Sequence, residues 1–246
     1  MNDQSKKMFY LATTGILAYV IADIIHEVIG HGGTCLIFRN KIELLTSVYF
    51  KSRPGNILVD IGGPTANLIF GILTFYILTR TSFAKLFFFQ VTAYNLFWFS
   101  GTILHSAISK TGDWTYAIKE IISEPYSRIS LITTGILFYT IILRALSFYL
   151  RINNSEQQIA ALTTKNIFYS FLFAFVAAFV AGLFFQSDRL NSGLEGLLEM
   201  AGSLPIFLLK FRNDSNEKFR LNYYFGLIVL IVYLAFCLTL GKGIIY

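Results

Sequence analysis

Charge is what this chain has least of. Only 14% of its 246 residues are Asp, Glu, Lys or Arg, while 55% are hydrophobic and 17% aromatic. A soluble globular domain carries about 25% charge. The polar surface is therefore too small to cover so apolar a core in water, which excludes a cytosolic α/β enzyme and an intrinsically disordered chain. Cysteine is equally scarce: Cys35 and Cys237 form neither a disulfide framework nor a paired-cysteine zinc motif. Histidine occurs only as His26, His31 and His105, too few for the histidine boxes of di-iron desaturase chemistry. There is no internal repeat, no low-complexity segment and no appended soluble domain long enough to filter substrates. No small-residue cleavage site follows Lys6, Lys7 and their apolar run, so that run reads as a retained helix.

What is present is a series of apolar stretches long enough to span a bilayer, about 20 residues each. Six are expected: Met8–Ile29, Leu58–Leu78, Leu86–Ile108, Ile129–Leu150, Ile167–Phe185 and Tyr223–Leu240. The expected fold is an all-α polytopic membrane protein, one membrane domain over 1–246. Between the first two spans, Lys41–Lys51 is rich in β-branched and aromatic residues and precedes Pro54-Gly55, which predicts a short strand or hairpin at the membrane surface. The polar piece Gln186–Asn222 carries an apolar patch, Leu204–Leu209, expected to lie as a short interfacial helix.

The net charge of +6 belongs to loops that meet lipid headgroups rather than to a nucleic-acid surface. Lys85 is counted with the loops on the side of the termini, and Lys218 and Arg220 with the opposite, more cationic side. The positive-inside rule then makes the odd-numbered loops cytoplasmic, in an inner-membrane protein. Arg144, inside the fourth span, is expected to pair with a carboxylate or to snorkel.

Ionisable residues at membrane depth are costly and usually mark function. Asp23, His26, Glu27 and His31 fall within nine residues at the end of the first span. Histidine offers a neutral nitrogen to zinc, and an adjacent carboxylate can take a proton from water. In a regular helix His26 and His31, five apart, would diverge by about 140°. A π-bulge absorbs the extra residue, and Gly30 would ease it. Alternatively the helix stays regular, and Glu27 with His31 form the pair, with Asp23 on the same stripe. The next span opens with Asp60 and Gly-Gly-Pro-x-x-Asn67, small residues that allow close helix approach. Asn95, His105 and Asp113 follow, Asp113 just beyond the third span on the side where His31 emerges.

The order HExxxH, GGPxxN, then Asn and a late Asp resembles the site-2 protease family of intramembrane zinc metalloproteases. The resemblance covers about residues 20–115; it makes 1–115 the metalloprotease-like core and leaves 116–246 as additional transmembrane helices. It implies a Zn2+ site held by His26, His31 and Asp113, with Glu27 activating water for hydrolysis of membrane-protein substrates. It also implies that Asn67 lies beside the site against a substrate strand. The family's histidine motif is HExxH, one residue shorter. Its third-ligand segment has prolines and Leu-Asp-Gly that are missing here, and its spacing from Asn95 points nearer His105 than Asp113. His105 is thus a rival third ligand. A three-histidine lipid or amide hydrolase and an inactive membrane-protein binder are the alternatives.

Overall fold

The computed structural model describes residues 2–119, 121–153, 161–212 and 223–246. Lys218 and Arg220, counted among the loop cations, lie outside them. The chain is predominantly helical, and five of its helices are long and apolar enough to cross a membrane: Asp3–Ile37, Ile57–Arg80, Tyr126–Ile152, Thr164–Leu183 and Tyr223–Gly241.

The first of these is not uniform. It runs as α1 (Asp3–Asp23), a π-helical stretch (Ile24–Gly32) and α2 (Gly33–Ile37). Asn2 caps its start by accepting from the Ser5 N–H at 2.8 Å, filling one of the donors that a helix N-terminus leaves open. The hairpin follows as β1 (Lys41–Leu45) and β2 (Phe50–Arg53). Its turn is held by the Thr46 hydroxyl, which accepts from the N–H groups of Val48 and Tyr49. Then come α3 (Ile57–Asp60), α4 (Gly62–Arg80), α5 (Lys85–Ser109), the short α6 (Asp113–Lys119) and α7 (Tyr126–Ile152). The chain ends with α8 (Thr164–Leu183), α9 (Arg189–Ala201), a 3₁₀ turn (Leu204–Leu208), α10 (Tyr223–Phe236), a second π stretch (Cys237–Gly241) and β3 (Ile244–Ile245). Strand β3 joins β1 on the side away from β2, giving an antiparallel sheet in the order β2-β1-β3.

The segment expected as the third span, Leu86–Ile108, is a helix but not one of the five. It is α5, and it sits at the centre, packed against α1, α4, α6, α7 and α9. A helix enclosed by protein need not be apolar all round, because neighbours satisfy its polar groups. Gln90, Thr92, Asn95 and Ser100 on α5 are all fully buried. Ser170 of α8 shows how: its hydroxyl lies 2.8 Å from the Leu11 carbonyl of α1 and 3.0 Å from Gln90 Oε1 of α5, tying three helices at one point. Lys85, read as a loop cation, is instead buried and donates to the Leu78 carbonyl at 2.8 Å, satisfying the C-terminal end of α4. Arg144 is exposed on α7.

Helix α9 has no counterpart among the expected elements. Ser192, Gly193 and Gly196 interrupt its apolar pattern, yet these are the residues that press against α8. A Cβ at Gly196 would stand 2.6 Å from the Ala178 carbonyl. Contact made through small residues carries no hydrophobic period to read.

Ser170→Ala removes a buried interhelical hydrogen bond and should cost about 1 kcal/mol. For a chain of this length that is about 2–4 °C in the unfolding midpoint, measurable by thermal denaturation in detergent.

Candidate metal centre

The π-helical stretch decides the geometry of the site. With i→i+5 hydrogen bonding, residues five apart stand one turn apart on one face. His26 and His31 meet with their Nε2 atoms 3.2 Å apart and their rings edge to face. The regular-helix pairing of Glu27 with His31 does not form. Asp23 sits behind, fully buried, accepting from the Tyr19 hydroxyl at 3.3 Å.

Helix α4 supplies the floor. Gly30 and Gly62-Gly63 let it approach so closely that a Cβ on Gly63 would lie 2.4 Å from His31 Nε2 and 2.8 Å from His26 Nε2. A side chain at Gly63 would fill the space between the two nitrogens. The loop after α5 supplies the third group. Gly112 turns the chain with φ of +93°, in the left-handed region glycine enters without strain. The Trp114 N–H donates to Ser106 Oγ, and the Trp114 indole donates to Thr102 Oγ1, both at 3.2 Å. So pinned, Asp113 brings one carboxylate oxygen 3.4 Å from His26 Nε2 and the other 3.6 Å from His31 Nε2.

These three residues form a group whose ligand atoms lie within 4.8 Å of one another. A tetrahedral ion bound at about 2.0–2.2 Å separates its ligands by roughly 3.3–3.6 Å, close to the spacings found. Hydrogen-bond direction makes the fit stronger. The Asn67 amide donates to the Ala22 carbonyl at 3.1 Å and to Asn95 Oδ1 at 2.8 Å, which fixes which end of Asn67 is oxygen. Asn95 in turn donates to the Val91 carbonyl. Asn67 Oδ1 therefore accepts, and His26 Nδ1 carries the proton it accepts. His31 Nδ1 faces the Val59 carbonyl at 2.8 Å, again an acceptor only. In the neutral rings both Nε2 lone pairs consequently point at each other and at a carboxylate. Three electron-rich groups held together call for a cation between them, and tying off the second nitrogen is how proteins orient histidine ligands.

Burial works to raise the Asp113 pKa, but the rings of His31 and His26, with His105 beyond, hold the carboxyl below its ordinary value. Glu27 is 4% exposed, and its Oε2 has no hydrogen-bond partner among the described residues. It opens into a cavity of about 320 Å³ shared with the three ligand candidates. His105 lines the same cavity but is exposed and stands outside the close group. Asn67, expected against substrate, is fully buried behind His26 and does not line the cavity. Phe50 of β2 stacks on His31 at 5.2 Å between ring centroids, so the hairpin roofs the site. Sequence reasoning missed Glu195 and Glu199 of α9, which also line the cavity. The site is not confined to residues 1–115.

Asn67→Ala should weaken metal binding by about 10- to 100-fold, the usual effect of losing such a partner. Gly63→Ala should weaken it at least as much by crowding the ligand nitrogens. Both are checked by metal titration of the purified protein with a competing chelator. No family model, curated protein or solved structure matches this chain.

Proposed function

We propose that this chain is a membrane-embedded zinc metalloprotease that hydrolyses peptide bonds of membrane-protein substrates. The observation that carries the reading is the convergence of two oriented imidazoles and a carboxylate beside the buried, unpartnered Glu27. The helix that holds His26, Glu27 and His31 is long and apolar enough to cross a membrane. In this reading the chain crosses six times, α5 included, with the odd-numbered loops cytoplasmic.

His26, His31 and Asp113 would hold the metal. Bound zinc supplies Lewis acidity and lowers the pKa of a water toward neutrality. Glu27 takes the proton from the attacking water and passes it to the leaving amine. Water thus adds across the amide, its hydroxyl going to the carbonyl carbon and its proton to nitrogen. Asn67 and the Val59 carbonyl hold the rings steady while charge moves. A peptide bond inside a helix is poorly open to attack, so the substrate must be extended. Strand β1 is paired on both sides, whereas β2 has no partner on its outer side among the described residues. That edge lies over the site and suits strand addition.

Zinc should copurify at one per chain and vanish in His26→Ala, His31→Ala and Asp113→Ala, but persist in His105→Ala, as read by elemental analysis in detergent. The reverse result for Asp113 and His105 would favour the three-histidine hydrolase. Wild type that takes up no added zinc would leave an inactive binder. Glu27→Gln should keep the metal while turnover falls about 100- to 10,000-fold. Proline at Lys51 or at Ser52 removes alternate backbone N–H groups of β2. At least one should cut turnover with metal content unchanged; full activity in both would sink the strand role.

A further inference from the structure

Five carboxyl side chains line the cavity: Glu27, Asp60, Asp113, Glu195 and Glu199. No Lys or Arg among the described residues lines it. Metal binding at His26, His31 and Asp113 accounts for Asp113, and proton transfer accounts for Glu27. Nothing in that chemistry requires the two glutamates of α9. They stand one helical turn apart, at i and i+4, a spacing at which like charges destabilise a helix. Neither has an ion-pair partner among the described residues.

Their position is built, not incidental. Helix α9 is locked to α8 through Ser192, Gly193 and Gly196. Its C-terminal end is held to α7 by the Tyr139 hydroxyl, which donates to the Gly202 carbonyl at 2.7 Å. These contacts leave Glu195 and Glu199 on the cavity wall. Burial, then the carboxyls of Asp23, Glu27, Asp113 and Glu195, push the Glu199 pKa well above its ordinary value. Glu27, 4% exposed, opens into the same cavity with an oxygen that has no hydrogen-bond partner among the described residues.

We propose that Glu195 and Glu199 form a cation-recognising subsite that selects a polypeptide carrying a Lys or Arg side chain near the bond to be cut. The proposal rests on the protease reading for its substrate, but its recognition step stands apart from cleavage. A guanidinium or ammonium entering the wall gains charge-assisted hydrogen bonds, whereas an apolar or acidic side chain leaves the glutamates unpaired. The apolar remainder of the wall, Trp98 and Leu198, accommodates the aliphatic stem of such a side chain.

The test uses the full chain, zinc-loaded in detergent, and three fluorescein-labelled extended octapeptides that differ at one central position: arginine, norleucine or glutamate. Anisotropy should show the arginine peptide binding about 10-fold or more tighter than the norleucine peptide, the size of a charge-assisted hydrogen bond, with the glutamate peptide weakest. The Glu195→Gln/Glu199→Gln protein should lose that preference while keeping its zinc and its unfolding midpoint. Equal binding of the three peptides to wild type, no binding of any, or an unchanged preference in the double variant would each overturn the subsite. Turnover is followed on the same peptides. Preference without cleavage by wild type would sink the protease reading and leave the subsite standing; cleavage without preference would do the opposite.

Discussion

Two imidazole nitrogens face each other across 3.2 Å at the heart of this molecule, with a carboxylate closing the triangle. Each ring is fixed from behind. A continuous hydrogen-bond chain runs from the Val91 carbonyl through Asn95 and Asn67 to His26, and the Val59 carbonyl performs the same service for His31. The directions of Asn95, Asn67 and His31 are set by the backbone carbonyls of Val91, Ala22 and Val59. Buried polar networks of this kind are stabilising only when complete.

The need for that chain explains the architecture around it. Asn95 belongs to α5, which must stay central and polar to deliver it, and so α5 is shielded on several sides by more apolar helices. Asn67 belongs to α4, which must come within touching distance of the π-helical stretch, and so glycines occupy the contact. Asp113 must reach the rings from outside the helix that precedes it, and so a left-handed Gly112 and the anchored Trp114 redirect the chain. The π stretch costs regular helical hydrogen bonding, and it returns a face that carries both histidines.

The cavity above this network is polar on one side and roofed by the hairpin on the other, where Phe50 covers His31. Tyr49 of the hairpin turn lines the cavity together with Glu195 and Glu199 of α9. The hairpin turn and α9 therefore both wall the cavity, while the π-helical stretch holds the histidines.

By itself the sequence determined the helical class, the location of most long apolar helices, the hairpin, and the nine-residue segment carrying His26, Glu27 and His31. These follow from composition, period and local spacing, which depend on neighbours along the chain. The π stretch was also legible, because a five-residue interval between histidines has few geometric solutions. Only the tertiary structure decided that Asp113 rather than His105 joins the close group, since that choice depends on a glycine turn and an indole contact. Only it decided that Asn67 serves His26 from behind, and that Lys85 caps a helix end instead of sitting in a loop. Helix α9 and its glutamates were illegible for a related reason: their placement is set by glycine and serine packing against α8, a contact that leaves no hydrophobic trace in the sequence.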